Sequence, residues 1–172
     1  MQDPNRIVSL LNLQKHPEGG FYKEIYRSSL STDFHGFEGV RNLATGIYYL
    51  LEENDFSALH RIKSDETWHF YDGETLEIVE IDTKGELILT LLGNDLLNGE
   101  VPQYTVKAGH WFGSRSRGVY SFVGCTVYPG FDFQDFEMAK RSDLLAEYPD
   151  YSDIIQLFTR HKDDWQQGFS LT

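Results

Sequence analysis

The chain carries a single cysteine, Cys125, among its 172 residues. An intrachain disulfide is excluded, so the fold must be held by its core rather than by covalent staples, as suits a reducing compartment. Basic residues are also scarce: 15 Lys and Arg stand against 27 Asp and Glu, giving a formal net charge of -12. So acidic a surface disfavours nucleic acid and anionic membranes, both of which reward clustered cations. No stretch approaches the roughly 20 apolar residues that span a bilayer, and the opening MQDPNRIVSLLNLQ has no basic region ahead of a long apolar run. The expectation is a cytoplasmic protein with neither nucleic acid nor membrane as partner. With no internal repeat, linker or low-complexity stretch, residues 1–172 are expected to form one domain.

What is present points to an apolar core. Hydrophobic residues make up 40% of the chain and aromatics 15%, enough for a domain of this length to bury a sizeable interior. Asp3 is placed to cap a helix with Pro4 in its first turn and Ile7, Leu10 and Leu11 on one face, ending near Leu13. Short β-rich runs then recur at residues 21–27, 45–51, 58–62, 67–71, 76–81, 87–92, 104–106 and 120–128, the rhythm of a sandwich or barrel. Asp82 to Gly85 reads as a hairpin turn. From Asp135 the pattern becomes helical with a break at Pro149. Ser152 is a cap for a last helix through Ile154, Ile155, Leu157 and Phe158, whose C-terminal dipole Arg160, His161 and Lys162 complement.

The chemistry-bearing segment is HRIKSDETWHFYDG, residues 60–73. Positions 60 and 62 of a strand face the same side, and a turn through Lys63, Ser64 and Asp65 returns the chain so that Glu66 enters beside them. Imidazole and carboxylate together suit either proton transfer or a borderline divalent metal. Alternation places Trp68 and Phe70 on the side of Glu66, with His69 and Tyr71 opposite unless a bulge intervenes. In the run at 21–27, Tyr22, Glu24 and Tyr26 share one face.

In register, this segment resembles the first signature motif of cupins, in which a His, a second His two residues on, a Glu and a turn Gly follow one another. His60, Glu66 and Gly73 match, but Ile62 stands where the second His belongs. The second motif is altered as well. In VKAGHWFGSRS, Gly109 keeps its place while Lys107, Phe112 and Ser116 occupy the Pro, His and Asn positions, and His110 falls two residues too early for a ligand. The chain is similar to an uncharacterised family of small single-domain cupins related to dTDP-4-dehydrorhamnose 3,5-epimerase. HPEGGFYKEIYRS (16–28), ALHRIKSDETWHFYDG (58–73), VKAGHWFGSR (106–115) and VGCTVYPGFDFQDFE (123–137) carry the likeness.

The resemblance implies an all-β fold with flanking helices: a cupin-type double-stranded β-helix, or jelly-roll barrel, with a short N-terminal helix and C-terminal helices packed outside. It also implies a homodimer and a barrel pocket for a carbohydrate-like ligand. In the related epimerases the first-motif His abstracts a proton, so His60 is the candidate base, assisted by Glu66, without a cofactor. Tyr48 and Tyr128 are candidate general acids. Trp68, Phe70, Trp111 and Phe112 are candidate aromatic walls, and Tyr22, Glu24, His69 and Arg115 are further candidate contacts. Two alternatives stand beside the metal-independent isomerase or epimerase. One is a metal cupin holding Mn, Fe, Zn or Ni through His60 and Glu66, with His69 or His110 as nonstandard ligands. The other is a barrel that binds a small molecule without turnover.

Overall fold

The computed structural model describes residues 2–160. The chain opens with α1 (Pro4–Leu11), capped by the Asp3 side chain, which accepts from the Asn5 amide. Asn12 turns left-handed and stops this helix two residues before Leu13. Thirteen strands follow: β1 (Gln14–Lys15), β2 (Phe21–Arg27), β3 (Ser31–Asp33), β4 (Val40–Asn42), β5 (Thr45–Glu52), β6 (Phe56–Arg61), β7 (Asp65–Gly73), β8 (Leu76–Ile81), β9 (Leu87–Leu92), β10 (Gln103–Val106), β11 (Trp111–Ser116), β12 (Tyr120–Tyr128) and β13 (Glu137–Met138). Then come α2 (Arg141–Glu147) and α3 (Ser152–Leu157).

Two antiparallel sheets form the body, one ordered β1-β2-β5-β12-β7-β10 and the other β13-β6-β11-β8-β9, while β3 and β4 make a separate ribbon. This is the jelly-roll arrangement. The inner faces meet over Tyr49, Leu51, Ile62, Trp68, Leu76, Ile78, Phe112 and Val123. The outer face of the second sheet is covered by α2 and α3 through Leu59, Val79, Ile81, Trp111, Leu144, Ile155 and Phe158. α1 covers part of the first sheet through Ile7, Leu13, Leu50 and Tyr120. The second sheet is covered on both faces around β8, so that strand reads as an unbroken buried run, LEIVEI, rather than an alternating one.

Some local expectations are corrected. β11 forms over a segment outside the expected β-rich runs, and its Arg115, with Arg117 just beyond it, pairs with Glu77 of the neighbouring β8. Ser152 is the first residue of α3 and gives no capping bond, because a 3-10 turn at Pro149–Tyr151 already leads into the helix. Arg160 does not serve the dipole of α3. Its guanidinium lies 2.8 Å from Asp55 Oδ1 and 2.8 Å from the Phe56 carbonyl, and His161 and Lys162 lie outside the described residues. Among the described residues no helix is long and apolar enough to cross a membrane.

Three irregularities shape one end of the sandwich. Between Glu24 and Tyr26 the register of β2 against β5 slips, so Ile25 is bulged and Tyr26 faces outward opposite Gly46. The bulge turns Arg27, rather than Tyr26, to the side of Tyr22 and Glu24. The loop from β1 to β2 carries Glu18 inward, with Gly19 at φ +121° and Gly20 at +71°. A Cβ on Gly19 would stand 2.0 Å from the Phe56 carbonyl oxygen, so only glycine fits there. After β12, residues 130–136 fold back as a strap. The Gly130 amide donates to the Asn42 carbonyl and the Phe131 amide to Thr45 Oγ1, and the buried Arg41 guanidinium grips Asp135 at 2.7 and 3.0 Å.

Candidate active site

These irregularities enclose a cavity of about 350 Å3 between the inner face of the first sheet and the strap. β2 contributes Tyr22, Glu24 and Arg27; β5 contributes Thr45 and Ile47; β12 contributes Cys125 and Val127. His60, Ile62 and Glu66 come from β6, β7 and the turn between them, His16 and Glu18 from the glycine loop, and Phe131, Asp132, Phe133 and Phe136 from the strap.

At the inner end, His60 is held from both sides. Its Nδ1 lies 2.7 Å from the Ala58 carbonyl oxygen, an acceptor only, and its Nε2 lies 2.9 Å from Glu18 Oε2. Both nitrogens are thus placed to donate, which is the imidazolium form. Burial alone would lower the pKa of His60, but the Glu18 charge and hydrogen bond raise it, helped by Glu66 and the Ala58 carbonyl. Burial would likewise raise Glu18, yet the charge of His60 and then His16 holds it down at about 2. The two form a buried ion pair. Phe112, on the neighbouring strand directly opposite His60, packs against the imidazole with ring centroids 4.1 Å apart, and Phe136 stacks at 5.3 Å.

Glu66 stands apart from that pair. Burial pushes its pKa up to about 7, the Glu18 charge adds to the rise, and His60 and the Cys125 thiol oppose it. Cys125 itself is pushed well up, by burial and then by Glu66, and stays a thiol. Glu66 therefore exchanges its proton near neutral pH, where a general acid or base works best. His16 is the neutral partner. The Glu18 amide donates to its Nδ1 at 3.3 Å, which leaves the ring proton on Nε2, and burial lowers its pKa. Tyr22 packs edge-on against this ring at 4.5 Å.

Of the residues singled out from sequence, the structure gathers His60, Glu66, Tyr22 and Glu24 into one cavity. The others lie elsewhere. Trp68 and Phe70 face inward as the alternation requires but belong to the core below the cavity, as does Phe112. Trp111 and Arg115 sit on the outer face of the second sheet, with Arg61 over the Trp111 ring and Arg115 bonded to Glu77. Tyr48 is on the outer face of the first sheet against Phe122 and Tyr71. Tyr128 emerges on that face too and bonds Thr67 Oγ1, so neither of these phenols reaches the cavity. His69, on the face predicted, bonds Gln103 and Thr126. His110 bonds Glu80, which also accepts from the Tyr104 hydroxyl at 2.6 Å, away from the cavity.

The fit to a metal follows from the same atoms. Ile62 and Phe112 close the inner wall where two imidazoles would be needed, and His60 Nε2 is committed to Glu18. Among the described residues no group of three or more His, Cys, Asp or Glu side chains is arranged to hold a metal ion. The donor set as placed does not fit one.

Comparison with known proteins agrees with the architecture. The family Cupin_5, described as Cupin superfamily (DUF985), matches residues 5–139. The chain belongs to this cupin family. A protein from Shewanella oneidensis, SO0799, is 40% identical in a solved structure, covering 94% of this cupin and 100% of that chain with a TM-score of 0.87. A hypothetical protein from Leishmania major is 33% identical over 93% of this chain and 100% of its own, with a TM-score of 0.88. The uncharacterized protein YML079W of Saccharomyces cerevisiae is 29% identical over 161 residues, 84% of this chain and 80% of that protein. An oxalate decarboxylase from Bacillus subtilis shares the fold of this cupin at a TM-score of 0.54, with 11% identity over 84% of this chain and 36% of its own.

Proposed function

We propose that this cupin is a metal-independent isomerase acting on a carbohydrate-like carbonyl compound, with Glu66 as the proton carrier. The single observation that carries this reading is a cavity-facing carboxyl pushed to about 7 beside a histidine whose two ring nitrogens are already spoken for. The resemblance to the epimerases nominated His60 as the base. With both nitrogens donating, it has no lone pair to offer a substrate, and its part is to hold the Glu18 charge in place.

The chemistry runs through Glu66. Its carboxylate removes the proton from the carbon beside the substrate carbonyl, and the C–H electron pair moves into the carbonyl to give an enolate. The neutral His16 Nε2–H and the Tyr22 hydroxyl, both at the cavity wall, are the donors for the developing oxyanion. Glu66 then returns the proton to the former carbonyl carbon, while the proton of the adjacent hydroxyl passes to the old carbonyl oxygen and the carbonyl re-forms at the adjacent carbon. If the intermediate turns instead, the proton goes back to the carbon it left and the carbonyl stays where it was. Because Tyr48 and Tyr128 lie outside the cavity, a same-face shift by one carrier is better supported than an epimerisation needing a second tyrosine. The resemblance to the dTDP-4-dehydrorhamnose 3,5-epimerases supports the broader class.

Solvent deuterium incorporation tests the reading. The wild-type protein, screened against unphosphorylated and phosphorylated aldoses and ketoses in D2O, should place deuterium next to the carbonyl of at least one sugar. Glu66→Gln should lower that rate by at least 100-fold, within the range of general acid–base contributions. No exchange with any member leaves the cavity as a binding site without turnover. The homodimer is proposed on the resemblance alone, and light scattering that gives the 19.9 kDa mass of one chain at micromolar concentration would overturn it.

A further inference from the structure

Among the described residues the cavity is rich in hydrogen-bond acceptors and holds no uncommitted charged donor, and the balance sets what can enter it. Glu18, Glu24, Glu66 and Asp132 all line it, against two groups that carry positive charge, His60 and Arg27. Arg27 looks at first like an anion site. All five of its N–H groups are taken, however: Nε and one Nη2 hydrogen by the two Glu24 oxygens at 2.9 and 2.7 Å, Nη1 by Asn42 Oδ1 at 2.8 Å, and the remaining two by the Phe131 carbonyl at 3.2 Å from each nitrogen. His60 has both nitrogens engaged. A phosphate or carboxylate brings only acceptors and negative charge, so inside this wall it would lose its hydration and meet carboxylates.

We infer that the cavity selects a non-anionic, hydrogen-bond-donating ring, an unphosphorylated sugar or its amino counterpart, and rejects the phosphate esters and nucleotide-linked forms of the same sugars. Hydroxyl or ammonium groups donate to the Glu18, Glu66 and Asp132 oxygens, while Phe131, Phe133, Phe136 and Ile47 supply the apolar wall for the ring's C–H face. The volume of about 350 Å3 suits a single ring. The inference rests on the proposed reading for the identity of the ligand as a sugar, but its test is separable from turnover.

The test is calorimetric titration of the full-length protein with matched probes: free aldoses and ketoses, their phosphate esters, the corresponding amino sugars, and inorganic phosphate. At least one free or amino sugar should bind, with its phosphate ester at least tenfold weaker and inorganic phosphate not competing. The amino arm shows whether ammonium adds to hydroxyl. Glu24→Gln, at a half-exposed position, removes one carboxylate and releases Arg27 donors, so it should narrow the gap between sugar and ester by at least threefold. An ester binding as tightly as its parent in the wild type overturns the inference, as does failure of every free and amino sugar to bind. Tight binding of a free sugar without deuterium exchange would sink the isomerase reading and leave this one standing; exchange confined to phosphate esters would do the reverse.

Discussion

Glu18 reaches from the glycine loop after β1 to within 2.9 Å of His60 Nε2, and this pairing converts the expected base of the motif into a fixed cation. The carboxylate of Glu18 holds the proton on His60 and, through space, raises Glu66.

Replacing Glu18 by Gln should undo both effects. The pKa of His60 should fall, since its main support is the Glu18 charge, and Glu66 should fall modestly, the loss of the Glu18 charge outweighing the loss of the opposing His60 charge while burial still holds it up. Nitrogen-15 NMR of the imidazole should show two protonated nitrogens at neutral pH in the wild type and one in the variant. Two in both would show that the Glu18 carboxylate does not hold that proton.

Glu66 should make the fold weaken as the pH rises from the acid range to neutral. Its folded pKa of about 7 exceeds the ordinary 4.5, so the folded state binds more protons between those values. The charging penalty begins near pH 4.5, is complete above pH 7, and amounts to about 3 kcal/mol. Glu66→Gln should gain up to that much stability at pH 8 relative to wild type and little at pH 4, measured by urea unfolding. An equal difference at both pH values would count against a raised pKa.

Gly19→Ala should disrupt the ion pair from a distance. The added Cβ meets the Phe56 carbonyl at 2.0 Å and Arg160 Nη2 at 2.4 Å in a left-handed backbone, so the loop has to move. A loss of about 1–3 kcal/mol is expected from the backbone conformation alone. The same NMR experiment should show His60 released, whereas unchanged His60 signals would mean that the loop absorbs the methyl elsewhere.

Substitutions away from the cavity should be silent toward ligand. Arg115→Ala, His69→Ala and Tyr48→Phe alter groups on outer faces and should leave sugar affinity within twofold. Tyr22→Phe, inside it, should weaken binding several-fold. A large effect from His69 or Arg115 would place the site elsewhere.

The sequence exposes those parts of the site that depend on local spacing. His60, Ile62 and Glu66 lie on two strands joined by a short turn, so period-two alternation suffices to bring them together, and Tyr22 with Glu24 follows from the same rule. Three features escape that rule. Glu18 meets His60 through a loop whose path is set by Gly19 and Gly20, and nothing in the spacing couples the two. Arg27 enters only because Ile25 is bulged, and a bulge leaves little trace in a pattern of aromatic and charged residues. Phe131, Phe133 and Phe136 arrive with a strap fastened by the Arg41–Asp135 pair, a contact between residues far apart in the chain. The aromatic candidates went astray for a related reason: alternation shows that Trp68 and Phe70 face inward, but not how deep along the barrel the core ends and the cavity begins. The HPEGG run held the missing signal, since two consecutive glycines after a His and a Glu mark a loop bent for close approach.

The most direct measurement is a carbon-13 titration of the Glu66 carboxyl in the wild-type protein, assigned by its loss in Glu66→Gln. A midpoint near 7, moving downward in Glu18→Gln, is the predicted result. A midpoint near 4.5 that ignores Glu18 would contradict the account, because the cavity would then hold no carboxyl tuned for proton transfer at neutral pH.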